Sequence, residues 1–208
     1  MNRRVQIKIC GVTTIEDARA CVALGADMIG LNFFRQSPRA IETDVARRIV
    51  EALPVEICAV GIFVGANANQ IREVAHLAGI RSVQLHGETP PEMCRELAQE
   101  FRVIRAFGTG ADFRPEDATL FPECAVLLDA PHPEFRGGTG RICDWPIARA
   151  TLPFTRFLIL SGGLNASNVG VAIETVGPHA VDVCSGVESS PGVKNHQAIQ
   201  RLIAAVRS

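Results

Sequence analysis

Short runs of apolar residues recur along the whole chain at nearly regular intervals. Several are almost continuously hydrophobic, as in the strands of a parallel sheet that is covered on its outer face. Runs of five to seven residues have the length of a buried strand, and eight such runs occur, at 5–10, 28–33, 57–63, 82–86, 102–107, 124–129, 156–161 and 180–185. The pattern therefore predicts eight parallel strands.

Amphipathic segments with recognisable helix starts lie between these runs. Thr14 precedes a helical pattern that ends at Gly25, and Asp17 completes the start signal three residues on. Short or irregular helices are expected after strands five and six, where the segments 115–121 and 144–150 carry weaker signals. The other predicted helices start at Thr43 or Asp44, at Asn67 or Asn69, at Thr89 before two prolines, at Asn165 and near His196.

The alternation of strands and helices is typical of an α/β fold. Eight strand–helix units within 208 residues predict a compact (β/α)8 TIM barrel, a fold that has about 250 residues as a rule. The alternative is a doubly wound open sheet, which typically has fewer strands and a glycine-rich first turn. Here the first strand runs instead into Lys-Ile-Cys-Gly at 8–11. No stretch has the composition of a linker, so residues 1–208 are expected to form a single barrel domain.

Composition and charge exclude several classes of partner. The chain has 21 basic and 22 acidic side chains and a net charge of −1, whereas nucleic-acid-binding proteins usually carry a concentrated basic surface. No apolar stretch approaches the ~18–20 residues of a membrane span, and the apolar part of the N-terminus is too short for a signal peptide. We therefore expect a cytoplasmic protein that binds neither nucleic acid nor membrane.

Seven cysteines are spread thinly along the chain, at positions 10, 21, 58, 94, 124, 143 and 184. No two form a Cys-x-x-Cys pair, and no histidine pair has metal-ligand spacing, so no metal site is expected. Most lie in apolar runs, where a thiol behaves as a small core hydrophobe. Cys10 is the exception, because it ends the first strand. A redox role for Cys10 is not supported, because no resolving cysteine is evident in the sequence.

The functional groups of a barrel lie at the carboxyl ends of its strands, and that rule selects a short set of polar residues. Cys10 ends strand one, and its thiol needs a neighbour's help to ionise near neutral pH. Asp129, at the end of strand six, could be a general acid or base, a metal ligand or a helix cap. His86 could act beside Cys10, contact a ligand or be a hydrogen-bonded core residue. Arg39 could bind a carboxylate with two nitrogens or lie solvated at the surface. Asp182, near the end of strand eight, is a further candidate for substrate binding.

Small residues follow strands seven and eight, with Gly162 and Gly163 after one and Ser185 and Gly186 after the other. Backbone N–H groups in such turns can converge on an anion, and the positive end of a following helix adds to the attraction. The glycines could simply end strands and start helices, but barrels frequently bind phosphate at this pair of loops. We therefore predict a phosphate site there. The Gly-Gly-Thr-Gly run at 137–140 is expected to let the loop after strand six close over a ligand.

A thiol and a carboxylic acid beside a phosphate site are typical of proton transfer on a sugar phosphate. Eight motifs support a more specific interpretation: KICG (8–11), SPR (37–39), VQLHG (83–87), LLDA (127–130), GGTG (137–140), LSGGL (160–164), SGVE (185–188) and PGVK (191–194). In these motifs and their order, the whole chain resembles the phosphoribosylanthranilate isomerases, the aldose–ketose isomerases of tryptophan biosynthesis. The resemblance implies a single-domain barrel with no metal and no organic cofactor. A small phosphosugar is the expected partner, and the chain is expected to be a monomer or a homodimer.

The resemblance also implies a reaction and a role for the matching residues. The reaction is the Amadori rearrangement of N-(5-phosphoribosyl)anthranilate to 1-(2-carboxyphenylamino)-1-deoxy-D-ribulose 5-phosphate. Protonation of the furanose ring oxygen opens the aminal to a Schiff base, which acidifies the neighbouring C2′ proton. An aspartic acid can supply the first proton only if burial or charge holds it protonated. The matching residues are Cys10 as the base, Asp129 as the acid, Arg39 and His86 at the substrate, and the amides around Gly162, Gly163, Ser185 and Gly186 at the phosphate.

Two residues depart from the family pattern. Cys184 stands where a small hydroxyl residue is expected, and Asn195 stands where an acidic residue is common. Both are expected to lie clear of the acid–base pair.

Two other functions compete with this interpretation. Another phosphosugar isomerase, epimerase or lyase would use a similar barrel, but those that rely on a metal need additional His or Asp at strand ends. Strands three and five end instead in Phe63 and Phe107. A non-catalytic barrel that binds a phosphorylated ligand would keep the last two turns, but it would have no need of both Cys10 and Asp129.

Overall fold

Eight parallel strands close into a barrel in the computed structural model, which describes residues 4–131 and 143–208. Each strand pairs with the next, and the last pairs with the first. The strands are β1 (Gln6–Ile9), β2 (Met28–Asn32), β3 (Cys58–Val64), β4 (Ser82–His86), β5 (Arg102–Gly108), β6 (Ala125–Asp129), β7 (Leu158–Leu160) and β8 (Ala180–Val183). The predicted (β/α)8 barrel is confirmed, and the doubly wound open sheet is excluded.

Helices connect the strands on the outside of the barrel: α1 (Ile15–Leu24), α2 (Thr43–Glu51), α3 (Ala68–Ala78), α4 (Pro91–Leu97), α5 (Trp145–Thr151), α6 (Val169–Val176) and α7 (His196–Arg207). After β5, the segment Pro115–Leu120 forms a 3₁₀ helix, and the short α5 runs into a 3₁₀ turn at Leu152–Phe154. The expectation of short or irregular helices after strands five and six is confirmed. A small antiparallel pair, β9 (Glu188–Ser190) and β10 (Val193–Lys194), follows β8.

Local capping signals fix where several helices begin and end. The Thr14 side chain accepts a hydrogen bond from the Asp17 N–H at 3.0 Å, and Gly25 ends α1 in the left-handed conformation that glycine adopts easily. Asn67 and Gln70 form a capping box at the start of α3. These starts and stops agree with the prediction from the sequence.

Two predicted helix starts are wrong for identifiable reasons. The residue before α4 is Pro90 and not Thr89, because Pro90 precedes another proline and is held extended. The residue before α6 is Asn168 and not Asn165. The Asn165 side chain accepts a hydrogen bond from the Ser167 N–H at 2.9 Å, which closes a turn ahead of the helix.

The barrel interior combines an apolar layer with one buried ion pair. Lys8 of β1 is fully buried, and its Nζ lies 3.0 Å from Oδ1 of Asp182, which is 5% exposed. Asp182 lies two residues beyond Ala180 on the same face of β8. Burial lowers the pKa of Lys8, but the charge and hydrogen bond of Asp182 together with the thiols of Cys10 and Cys184 outweigh it, and the net shift is upward. The apolar layer beneath comprises Met28, Val60, Ile104, Ala106, Leu127, Ile159 and Ala180.

The helices are too short or too polar to cross a lipid bilayer. Within residues 4–131 and 143–208, none has the length and apolar character of a membrane span.

Candidate active site

Cys10 directly follows β1, on the same face as Lys8 and therefore at the mouth of the barrel. Its N–H donates to the Val183 carbonyl oxygen at 2.9 Å, so the pairing of β1 with β8 continues past the end of the strand. Gly30 of β2 makes room for it, because a Cβ at Gly30 would lie 3.1 Å from the Cys10 Sγ and 3.0 Å from its Cα. Taken as a whole residue, Cys10 is partly exposed. Cys10 can therefore be reached by a molecule bound in the mouth.

Cys184 follows β8 beside Cys10, and its Sγ donates a long hydrogen bond to Glu188 Oε1 at 3.9 Å. The hydrogen bond from Cys184 lowers the pKa of Cys10, the positive charges of Lys8 and Lys194 act in the same direction, and burial and Asp182 oppose them. The same hydrogen bond, together with burial, raises the pKa of Cys184. Cys10 is therefore the thiol of the pair that ionises first.

Asp129 is the last residue of β6 and lies at the same end of the barrel. Its Oδ1 accepts a hydrogen bond from the Ala130 N–H at 2.7 Å. Burial raises the pKa of Asp129 to about 6, and Asp182 adds to the rise, while the Ala130 N–H and Lys8 oppose it. The Lys8–Asp182 ion pair thus acts on Asp129 as well as on Cys10. A carboxyl with this pKa keeps its proton in a useful fraction of molecules near neutral pH.

Arg39 belongs to a buried ion network beside Cys10. Its Nε lies 2.9 Å from Glu188 Oε1 and its Nη2 lies 2.7 Å from Glu188 Oε2, a two-pronged pairing. Lys194 Nζ donates to Glu188 Oε1 at 2.7 Å and to the Cys10 carbonyl oxygen at 2.6 Å. Burial raises the pKa of Glu188, but the hydrogen bonds from Arg39 and Lys194 outweigh it, so the net shift is downward. The surface position considered for Arg39 is wrong, since its side chain is 9% exposed.

His86 and Asp182, the other two predicted substrate residues, lie at different depths. His86 is the last residue of β4, partly buried at the mouth, with its Nε2 hydrogen-bonded to the side-chain amide of Gln84. Gln84 is itself buried within the barrel. Asp182 lies one layer below Cys10, in the ion pair with Lys8. His86 is therefore open to a ligand in the mouth, whereas Asp182 acts on the mouth through its charge.

The turns after β7 and β8 are packed directly against each other. A Cβ at Gly186 would lie 2.0 Å from the Leu164 carbonyl oxygen, so only glycine fits there. Gly162 has a φ of +85°, and a Cβ there would lie 2.7 Å from the Ala130 nitrogen. Within the described part of the chain, no hydrogen bond has the N–H of Gly163, Ser185 or Gly186 as its donor. These donors are available to an anion between the two turns.

Two further expectations concern the loop after β6 and a metal. The 137–140 run lies outside the described residues. Among the residues that the structure describes, no three or more His, Cys, Asp or Glu side chains are grouped so that they could hold a metal ion.

Comparison with known proteins agrees with this geometry. A family model described as N-(5′-phosphoribosyl)anthranilate (PRA) isomerase matches residues 7–205. The N-(5′-phosphoribosyl)anthranilate isomerase of Thermotoga maritima is 44% identical over 199 residues, which are 96% of this chain and 97% of that protein.

The chain belongs to the phosphoribosylanthranilate isomerase family. Two solved structures of the family are similar over 98% of both chains. One, of monomers generated from the dimeric Thermotoga maritima isomerase, has a TM-score of 0.86 at 40% identity. The other, an isomerase in complex with reduced 1-(o-carboxyphenylamino)-1-deoxyribulose 5-phosphate, has a TM-score of 0.88 at 40% identity.

The expectation about Cys184 is also wrong. Cys184 was expected to lie clear of the acid–base pair, but its thiol contacts Cys10. The cause is closure of the barrel, which makes β8 the neighbour of β1 although the two strands lie at opposite ends of the chain. The second departure, Asn195, caps α7, and its side chain accepts a hydrogen bond from the Ala198 N–H at 3.0 Å.

No role is predicted from the sequence for three charged residues at the site: Lys8, Glu188 and Lys194. Each lies in a quoted motif, namely KICG, SGVE and PGVK. Lys8 could have been identified because it lies inside an apolar strand, and a buried charge needs a partner. No local signal predicts that Lys194 reaches the carbonyl oxygen of Cys10.

Proposed function

We propose that Cys10 and Asp129 are the base and the acid with which this chain, a phosphoribosylanthranilate isomerase of tryptophan biosynthesis, catalyses its aldose–ketose conversion. The observation that supports these roles is that the two residues lie at one barrel mouth in environments that shift their pKa values in opposite directions. The pKa of the Cys10 thiol is lowered, and burial raises the pKa of the Asp129 carboxyl to about 6. Two titratable groups whose pKa values both move toward neutrality are suited to exchange protons with one substrate near neutral pH.

The reaction then follows from what each group does with its proton. Asp129 donates its proton to the furanose ring oxygen, the C1′–O bond breaks, and an iminium forms at the anthranilate nitrogen. The iminium draws electrons from the C2′–H bond, so the Cys10 thiolate is a strong enough base to remove that proton. The resulting enolamine tautomerises to the 1-deoxyribulose product.

The remaining predicted residues bind the substrate in this proposal. The N–H groups around Gly162, Gly163, Ser185 and Gly186 hold the phosphate, which is supported by the free donors described above. Arg39 and His86 contact the anthranilate end, with the Arg39 guanidinium held in place by Glu188. Asp182 is the exception and does not contact the substrate in this proposal. It forms the ion pair with Lys8 and acts on the site through its charge.

We extend the proposal to the organisation of the protein. Residues 1–208 form one catalytic domain that takes a small phosphosugar and needs no metal or organic cofactor. It works in the cytoplasm as a monomer or a homodimer, without nucleic acid as a partner. The monomeric and dimeric forms of the Thermotoga maritima isomerase support either oligomeric state.

The test of the assigned roles is a fluorescence assay with N-(5-phosphoribosyl)anthranilate, whose anthranilate-type emission falls as it is consumed. We expect turnover without added metal or cofactor. Cys10→Ala and Asp129→Ala should each lower kcat by about 100-fold or more, the usual effect of losing an acid–base group. Cys58→Ala is the matched control, because Cys58 is the first residue of β3, at the opposite end of the barrel. More than half of the activity left in either site variant would disprove its role.

A further inference from the structure

Cys10 and Cys184 occupy facing positions on neighbouring strands. The register of β1 and β8 pairs Lys8 with Asp182 and Ile9 with Val183, and the Cys10 N–H to Val183 bond continues it. Adjacent strands lie about 4.8 Å apart, and disulfides span Cα separations of about 4.4–6.8 Å. The mutual effect of the two thiols on their pKa values agrees with these facing positions.

We propose that Cys10 and Cys184 are a site of reversible oxidation, at which an intramolecular disulfide removes the catalytic base and stops the isomerase. The missing resolving cysteine, which the sequence alone does not reveal, is Cys184. The loss of activity rests on the role proposed above for Cys10, whereas formation of the disulfide does not.

Access separates this pair from the other cysteines. Cys10 and Cys184 are both partly exposed at the barrel mouth, whereas Cys21, Cys94, Cys124 and Cys143 are buried. Cys94 and Cys124 also affect each other's pKa, but they are only 0% and 4% exposed. An oxidant in solution reaches only the first pair without unfolding the chain.

Positive charges around the pair favour the reactive thiolate. Lys194 Nζ lies 2.6 Å from the Cys10 carbonyl oxygen, and Lys8 lies beneath the thiol on the same strand face. The side-chain carbons of Arg39 and the sulfur of Cys184 both pack beside Gly11. Cationic surroundings stabilise a thiolate, which is the nucleophile in thiol–disulfide exchange.

The exchange balances with a low-molecular-weight disulfide such as oxidised glutathione as the oxidant. The Cys10 thiolate attacks one sulfur of the reagent, which forms a mixed disulfide and releases one glutathione thiolate. Cys184 gives its proton to that thiolate, attacks the Cys10 sulfur and expels the second glutathione. The two protein thiols lose two electrons, and the reagent is reduced to two thiols. Transient disulfides of this kind are those expected in a reducing compartment.

The experiment treats the folded full-length chain with oxidised glutathione, blocks the remaining thiols and maps the peptides by mass spectrometry. We expect two thiols to be lost, a Cys10–Cys184 cross-link and no glutathione adduct. Activity should fall by about 100-fold or more and return with dithiothreitol. Cys58→Ser, which changes a partly exposed thiol at the far end of the barrel, should behave as the wild type.

Cys184→Ser isolates the resolving step, because serine can still donate a hydrogen bond to Cys10 but cannot close a disulfide. We expect a stable glutathione adduct on Cys10 and no cross-link, with activity compared with the same variant before treatment. A stable adduct on Cys10 of the wild type, unchanged thiol content, or a cross-link between other cysteines would overturn the proposal. A Cys10–Cys184 cross-link in a fully active enzyme would confirm the disulfide and overturn the role of Cys10 as the base.

Discussion

At the scale of single residues, the site depends on two groups whose proton affinities are set by their neighbours. Cys10 is assisted by a hydrogen bond from Cys184 and by Lys8 and Lys194, against burial and Asp182. Because the hydrogen bond from Cys184 is the largest of these effects, that thiol is a large part of what makes Cys10 a usable base.

Removal of that hydrogen bond should move the pH profile. Cys184→Ala takes away the donor, so the pKa of Cys10 rises and the acidic limb of kcat/KM moves to higher pH. Cys184→Ser keeps a donor and should move the limb less. The measurement is kcat/KM across pH for the three proteins. If the limb stays in place in Cys184→Ala, the titrating base is another group, and His86 is the first to test.

The ionised form of Asp129 should destabilise the fold at pH values above the pKa of this residue. Its pKa is raised from 3.8 to about 6 by burial, so the stabilising contribution of the protonated form is complete below about pH 4. It is lost as the pH rises through about 6. Asp129→Asn removes this dependence. We expect the variant to gain about 2–3 kcal/mol in free energy of unfolding, relative to wild type, between pH 4 and pH 8. Urea titrations at both pH values measure it, and an equal difference at both would contradict the raised pKa.

At the scale of elements, the turns after β7 and β8 work as one unit because their backbones touch. Gly186→Ala puts a Cβ 2.0 Å from the Leu164 carbonyl oxygen, which forces the turns apart and misplaces the donors for phosphate. KM should rise by about tenfold or more, which is a loss of at least about 1.4 kcal/mol of binding, and inhibition by inorganic phosphate should weaken in parallel.

The control for this change is Gly170→Ala in α6, where an added Cβ meets only the Ala205 carbonyl oxygen at 3.9 Å. It should leave KM unchanged and raise the melting temperature slightly, since alanine favours a helix more than glycine does. An unchanged KM in a folded Gly186→Ala protein would place the phosphate elsewhere.

The elements also show how far a sequence can predict this fold. The strands follow from their hydrophobic runs, and α1 follows from Thr14 and Gly25, because those signals act within a few residues. The start of α4 was missed because two adjacent prolines override a threonine cap, and the start of α6 because Asn165 closes a turn of its own. The strand-end positions of Cys10 and Asp129 were predictable once a barrel was assumed.

At the scale of the whole molecule, the contacts that the sequence could not reveal lie at the junction where β1 pairs with β8. The contacts of Cys10 with Cys184, of Lys8 with Asp182 and of Lys194 with the Cys10 carbonyl oxygen all depend on closure of the barrel. No local pattern encodes which residues will face each other across that junction.

The Lys8–Asp182 ion pair at the junction can be tested by taking it apart. Lys8→Met leaves a buried carboxylate without its partner and should destabilise the fold by about 3–5 kcal/mol. The double variant Lys8→Met with Asp182→Leu removes both charges and should recover much of that stability, but not the activity, because the field on Cys10 and Asp129 is gone. Denaturant titrations and kcat report the two effects. A double variant as unstable as the single one would mean that the ion pair stabilises the fold by more than the cost of burying it.

The junction between β1 and β8 also sets when the enzyme becomes active. Cys10 is synthesised well before its hydrogen-bond donor and two of its neighbouring charges, which come from residues beyond position 180. Contacts so distant along the chain form late, because the loop that they close is long. A nascent chain can therefore hold most of its barrel strands and still carry a catalytic thiol in an ordinary, unactivated state. The enzyme becomes active only when β8 and the residues that follow it have joined the barrel.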